Sequence, residues 1–530
     1  MELQVLLDRK KIPASKEASL LMLVKVTGEE IESGTEAPPV NISLVIDRSG
    51  SMGGDKLSYV KQAARELVNR LRSTDTISLV SYDDRIEVPF PPASAGSRDR
   101  ILRAIDSLTA RNTTNLSGGW LKGCDLVREF ASDGQVNRVI LLSDGLANRG
   151  ITSLDKLRKM ARDQRAGGIT TTTMGVGMGF NEDLMRSMAV EGGGAFYFID
   201  NPDQAPELFQ EELSDLKHIV GQNLEITIET GSQVSGFRQL NDYPFENRSG
   251  VLTYNLGEVF AGETRTQVFE LTTAPLSKGE TELGTVRIRC SAVSGETVET
   301  IDLTQTISVK AVSASKAKDI KPDTGVVRAA LLQKTARARE KAVSLADKRE
   351  FKEAAKVLKA AAEEIKASGI EDELLLDEYR RLKEEAARMD FGAEGFDNHI
   401  RKLHRAKSHH SHRAERYAVQ SQALHERYMD AHAPLGRDGA VPTRVLVDGT
   451  EIQLQRGNLT VGSDPGCGIV LDHSTVEPQH CELEITPDGW IITPSPDMYP
   501  VHANGGRVRG PFRISAGDAI TVGRVLLEFE

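Results

Sequence analysis

The segment VIDRSGSMGG carries one carboxylate and two hydroxyls at alternate positions, Asp47, Ser49 and Ser51, directly after an apolar run and before an amphipathic one. On a tight loop, alternate residues aim at a single point, and Gly50, Gly53 and Gly54 allow the sharp backbone path this requires. The donor set is all oxygen. It suits a hard divalent cation, Mg²⁺ foremost, with Mn²⁺ or Ca²⁺ as alternatives. Two more oxygen donors follow in chain order: Thr114 in TTNLSGG, on a loop before another helix, and Asp144 in SDG, where the strand NRVILLS ends. Asp55, Asp83 and Asp84 lie at neighbouring loops or helix starts, where capping and solvation account for acidic residues, and they are left out of the ligand set.

Elements of a particular kind must hold such residues. From Asn41 the chain alternates apolar strands with amphipathic helices: NISLVI, a helix from about Lys56, TISLVSY, NRVILLS and TTTMGVG. This alternation predicts a parallel sheet covered by helices, with ligands held beyond the carboxyl ends of its strands. In the first helix, Leu57, Val60, Ala64, Leu67, Val68 and Leu71 form one apolar face. A last helix is expected near Pro206–Val220. Residues 222–312 return to short alternating strands with the texture of a β-sandwich. The early runs Leu3–Leu7 and Ser19–Val26 share that texture. Residues 1–34 are therefore expected to complete the sandwich of 221–313, with the α/β domain, 41–220, inserted between them.

Residues 318–430 are rich in Ala, Lys, Glu and Arg and predict two or three antiparallel helices. The stretch REFKEAAKVLKAAAEEIKASG resembles one tetratricopeptide helix, without a clear second copy at that repeat's period. His399, His404, His409, His410 and His412 have the spacing of a transition-metal cluster, but the Ser, Arg and Lys between them favour a solvated helix or linker. Residues 431–442 read as a linker, and 443–530 as all β. The expected fold class is multidomain α/β plus all-β.

With all five ligand positions present in order, residues 41–220 resemble a von Willebrand factor A domain. The resemblance implies a Rossmann-like fold with an intact metal-ion-dependent adhesion site. In that family the two serines and the threonine approach the cation directly, and the aspartates act directly or through water. Such a cation is underneutralised and keeps a position for water, so an Asp or Glu of a partner protein completes its shell. Some members of the family carry the domain within a β-sandwich, where a shift of the last helix tunes affinity. Others serve ring ATPases as accessory subunits.

Residues 443–530 resemble a forkhead-associated domain through IQLQRGNLTVGSDPGCGIVLDHSTVEPQHCELE, NGGRV and AGDAITVG. His480 stands where that family has the histidine bracing its recognition loops, and Gly462, Asn504, Gly505, Gly517, Asp518 and Gly523 fall at scaffold turns. The phosphothreonine positions depart from the pattern: Ser463 replaces Arg, Glu477 and Pro478 replace Ser-Arg, and Tyr499 aligns with an asparagine. A glutamate there repels a dianion, so this domain is expected to be degenerate, structural or a docking surface for a second protein.

Formal net charge of -11 argues against nucleic acid as a partner, since phosphate binding needs a concentrated excess of Lys and Arg. The four cysteines, Cys124, Cys290, Cys467 and Cys481, are scattered, and buried thiols in a reducing compartment are expected. An approach of Cys467 and Cys481 across strands would need no function. The segment AVEGGGAFYF lacks a phosphate-loop lysine. The first residues lack a signal-peptide core and no run spans a bilayer, so a cytoplasmic location is expected. No paired general base, oriented nucleophile or second metal set is evident, which predicts a non-enzymatic protein. The expected function is an Mg²⁺-dependent protein-binding scaffold. Alternatives are a phosphothreonine-reading signalling adaptor or an accessory subunit of a ring ATPase.

Overall fold

The computed structural model describes residues 1–30, 37–111, 113–132, 134–144, 149–177, 180–199, 212, 218–294, 297–318, 320–393, 396, 401, 436, 439–447, 449–454, 457–486, 489–495 and 500–530. They divide into two compact units, one from Met1 to Val326 and one from Val327 onward.

The first unit opens with three strands, β1 (Glu2–Leu7), β2 (Lys11–Pro13) and β3 (Ala18–Thr27). The α/β domain follows, with β4 (Val40–Asp47), α1 (Asp55–Arg70), β5 (Thr76–Tyr82), β6 (Ile86–Ser94), α2 (Arg98–Asp106) and α3 (Leu116–Glu129). It continues with β7 (Val136–Ser143), α4 (Leu154–Ala166), β8 (Thr170–Val176), α5 (Glu182–Gly192) and β9 (Gly193–Ile199). Its sheet runs β6-β5-β4-β7-β8-β9, parallel except for the outer β6. Every residue of β4 is buried, as expected of a central strand covered on both faces. On one side Ile42, Leu44 and Ile46 meet the α1 face of Leu57, Val60, Ala64, Leu67 and Val68. Full burial of each of the Ile, Leu and Val side chains contributes about 1.5–3 kcal/mol.

The remaining strands of this unit are β10 (Ile219–Thr230), β11 (Val234–Gln239), β12 (Phe245–Arg248), β13 (Val251–Phe260), β14 (Thr264–Thr273), β15 (Gly279–Ser294) and β16 (Thr297–Val312). They form two sheets, β1-β3-β14-β11 and β12-β13-β10-β15-β16-β2. β3 pairs with β14 along its whole length, so the amino-terminal strands belong to the sandwich and the α/β domain is inserted in it. The two-residue period of β3 buries Leu20, Met22, Val24 and Val26 in one core with Ile226, Ile228, Val286, Ile288 and Phe269.

The expected helix up to Val220 falls mostly outside the described residues. Glu212 is helical, but Ile219 already pairs with Phe260 at the start of β10, so a helix cannot run to Val220. Arg138 of β7, fully buried, joins the two halves of this unit. Its guanidinium lies 2.6 Å from Glu258 of β13 and 3.6 Å from Glu212, and it donates to the Thr172 hydroxyl at 3.1 Å.

In the second unit, α6 (Thr324–Asp347), α7 (Phe351–Ala367) and α8 (Glu373–Met389) pack around Ala342, Ala354, Leu358, Ala362, Leu375 and Leu382. Arg339 is wholly buried between Glu378 and Glu385, with Glu385 at 2.7 Å. The strands between Arg444 and Phe529 form a six-stranded and a five-stranded sheet. α8 rests on the former: Tyr379 donates to Glu528 at 2.7 Å, and Arg388 donates to the Gly505 carbonyl at 2.7 Å. The architecture is the expected multidomain α/β plus all-β class. Among the described residues no helix is long and apolar enough to cross a membrane. His404, His409, His410, His412, His399 and Tyr499 lie outside the described residues.

Candidate metal site

Asp47 ends β4, and Ser143 ends the adjacent parallel strand β7 with Asp144 directly after it, so the pairing of the two strands brings the carboxylates to one edge of the sheet. After Asp47 the chain passes through Arg48 and Ser49 into a single 3-10 turn, Gly50–Met52, which lifts Ser51 to the surface. Asp47 accepts the Ser49 backbone N–H at 2.8 Å with one oxygen and the Ser143 hydroxyl at 2.7 Å with the other. The Ser49 and Ser51 hydroxyls are 3.1 Å apart, and Ser51 donates to Asp144 at 2.8 Å. The second oxygen of Asp144 pairs with the Lys56 ammonium from the first turn of α1.

Asp47, Ser49 and Asp144 are buried, while Ser51 is exposed, so the group opens to solvent on one side. Burial pushes the Asp47 carboxyl above its ordinary range, and the nearby charge of Asp144 adds to this, against the hydrogen bonds from Ser143 and Ser49. Burial and then the charge of Asp47 push the Tyr82 phenol well above its ordinary range. Two buried carboxylates held this close call for positive charge. Lys56 supplies part of it.

Thr114 is buried on the loop before α3. Its carbonyl accepts from Arg149 N at 3.1 Å, which ties its loop to the segment following β7. The next residue, Asn115, caps α3 by accepting from Gly118 N at 3.1 Å, and its own N–H donates to Asp83 O at 2.8 Å. The hydrogen-bonded group thus comprises Asp47, Ser49, Ser51 and Asp144, and the loop of Thr114 bonds to Arg149 and Asp83.

Asp83 has a role other than capping. Its buried carboxylate lies 3.2 Å from Arg48 and 2.7 Å from Arg111, while Arg48 also donates to Glu87 at 2.9 Å. Arg111 N donates to Arg48 O at 2.8 Å. Burial opposes the Asp83 charge, but the Arg85 N–H and the two guanidinium groups outweigh it and hold the carboxyl below its usual range. This brace clamps the residue lying between Asp47 and Ser49. Asp84 is half-buried, and Asp55 is exposed at the start of α1.

Among the described residues no group of three or more His, Cys, Asp and Glu is placed to hold a metal ion, so a cation here depends on hydroxyl ligands. An all-oxygen set with two close, buried carboxylates fits a hard divalent cation. Ser143, Lys56 and the Arg48–Asp83–Arg111 brace were missed in the sequence. The adjacency of Ser143 to Asp144 was the only local signal for any of them.

In the carboxyl-terminal domain His480 is fully buried, and its Nδ1 accepts the Glu477 N–H at 3.1 Å. Ser463 N donates to Glu477 O at 2.9 Å, so two of the residues that depart from the phosphothreonine pattern are neighbours. Asn504 and Asp518 are buried and bonded at 2.7 Å, and Gly505, Gly517 and Gly523 have positive φ, as turns require. A side chain at Gly462 would collide with the Pro478 carbonyl. The cysteines are free thiols, with Cys481 pushed up to about 12 by burial.

Residues 41–211 match the von Willebrand factor type A domain model, and this chain carries such a domain. Residues 446–530 match the model described as the cytoplasmic domain of the inner membrane component of T3SS, consistent with a forkhead-associated-like fold. The protein YfbK of Escherichia coli is 29% identical over 290 residues, covering 50% of this chain and 50% of that protein, so the match spans half of its relative's length. A von Willebrand factor type A structure from Catenulispora acidiphila superposes with a TM-score of 0.55 at 18% identity, covering 71% of this chain and 89% of that one. The ArnB paralog VWA2 from Sulfolobus acidocaldarius gives 0.51 at 17% identity, covering 78% and 98%. At these identities the two structures establish the fold alone.

Proposed function

We propose that this protein is a non-enzymatic scaffold whose von Willebrand factor A domain grips an acidic residue of a partner protein through Mg²⁺. The observation that carries this reading is the continuous hydrogen-bonded group of Asp47, Ser49, Ser51 and Asp144 at the carboxyl end of the central strands, buried except at Ser51. Asp47, Ser49, Ser51, Thr114 and Asp144 would hold the ion, directly or through water. The ion would supply an electrophilic position for a carboxylate. The protein's own work is positioning. Ser143 fixes the Asp47 carboxylate, and the brace of Arg48, Asp83 and Arg111 holds the loop that presents both serines. The carboxyl-terminal domain serves as a second protein-docking surface, since Glu477 beside Ser463 disfavours a phosphate dianion.

The reading is tested by calorimetric Mg²⁺ titration together with affinity capture from native lysate, each with wild type and Asp47→Ala. Saturable Mg²⁺ binding, and a captured protein lost both in EDTA and in the variant, are expected. A variant that binds Mg²⁺ and its partner like wild type would sink the assignment.

A further inference from the structure

One side of the sandwich is open between its two sheets. β1 is the outer strand of one sheet, and β2 is the outer strand of the other, but β2 covers its neighbour β16 only at Lys310–Val312. The chain path is the cause. After Leu7 the backbone leaves the first sheet, turns through Asp8, Arg9 and Lys10 and enters the second as β2, so the earlier part of β16 lies beside β1 without a hydrogen-bonded strand on that side among the described residues. Lys310 N donates to Lys10 O at 2.9 Å. Alternate residues of an antiparallel strand present their N–H and C=O to the same side, so Thr304, Thr306 and Ser308 turn theirs toward the gap.

Across the gap Val5 meets a stand-in for a strand. Its N–H donates to the Gln305 side-chain oxygen at 3.0 Å, and its carbonyl accepts from the Gln305 amide nitrogen at 3.3 Å. A cleft of about 390 Å³ lies here, over the buried core residues Leu7, Ile307 and Val309. Lys10, Lys11 and Lys310 line the same cleft against one carboxylate among the described residues, Glu280, which sits opposite Lys310 in the β15–β16 register.

We propose that this cleft binds an extended acidic segment of a partner protein, which adds as a strand to the open edge of β16. Backbone groups that face no strand are a ready template for such pairing, and the side-chain amide of Gln305 is displaced as the segment's own amides take over. The three lysines select Asp and Glu at one end. This surface lies on the sandwich strands and does not depend on the metal reading.

The test uses the full chain and a fluorescein-labelled peptide of alternating Val and Thr that ends in three Asp, measured by anisotropy with EDTA present. Saturable binding is expected, with amide hydrogen exchange slowed at Thr304, Thr306 and Ser308. The double variant Lys10→Glu/Lys11→Glu should weaken binding by about tenfold or more. Thr306→Pro removes only an N–H that no strand uses, so the fold is kept and binding is lost. Equal binding of a Lys-ended peptide, of a peptide N-methylated at alternate amides, or by Thr306→Pro would overturn the proposal. So would self-association of the chain through this edge that Thr306→Pro abolishes, because the edge would then serve a second copy.

Discussion

Asp144 divides its two oxygens between a hydroxyl, that of Ser51, and an ammonium, that of Lys56. The first is a partner that a cation would share; the second is one that a cation would oppose. Lys56 is partly exposed, and its loss would leave Asp144 better able to neutralise an ion. Lys56→Met should tighten Mg²⁺ binding by on the order of severalfold, read by calorimetry, because one repelling charge is removed at short range. Weaker binding in that variant would mean that Lys56 supports the site by holding Asp144 in place. Ser143 acts in the opposite sense, since its hydroxyl steadies the charged form of Asp47 against the burial that disfavours it.

At the scale of elements, the proposed site would depend on how closely α3 approaches the sheet. Gly119 and Gly123 make this possible: a Cβ at Gly119 would stand 2.4 Å from the Tyr82 ring, and one at Gly123 would stand 2.5 Å from Val45. The helix therefore lies with its backbone against β4 and β5, and Thr114 is delivered by the loop just before it. Gly119→Val should force the helix outward, costing about 1–3 kcal/mol of stability by chemical denaturation and weakening Mg²⁺ binding as Thr114 moves with it. A variant that lost stability but bound Mg²⁺ normally would separate Thr114 from the ligand set.

At the scale of the whole first unit, Arg138 ties the α/β sheet to the sandwich by sharing its charge between Glu212 and Glu258. Removing one partner of such a buried group leaves the others uncompensated. Arg138→Met should therefore destabilise the unit by about 3–5 kcal/mol in denaturant melts, and the double variant Arg138→Met/Glu258→Met should recover part of that loss. If the double variant were less stable than the single one, Glu258 would have independent partners worth more than its pairing with Arg138.

The sequence alone determined the elements and the ligand candidates. The apolar alternation of NISLVI and NRVILLS, the three- and four-residue steps of α1 and the Asp-x-Ser-x-Ser spacing are local patterns, set by burial on strands and helices of known period. The shared texture of the first strands and the later sandwich placed β3 correctly, because a half-buried strand declares its alternation wherever its partner lies. Tertiary structure decided what supports these parts. Asp83 read as a capping residue because Arg48 and Arg111 are distant in sequence and meet it only when three loops converge. Lys56 and Ser143 became relevant through strand order, which sets β7 beside β4. The open edge of β16 is likewise invisible in one dimension, since whether a strand's backbone is paired depends on where the neighbouring chain goes, and the chain joins β16 as β2 only from Lys11 onward.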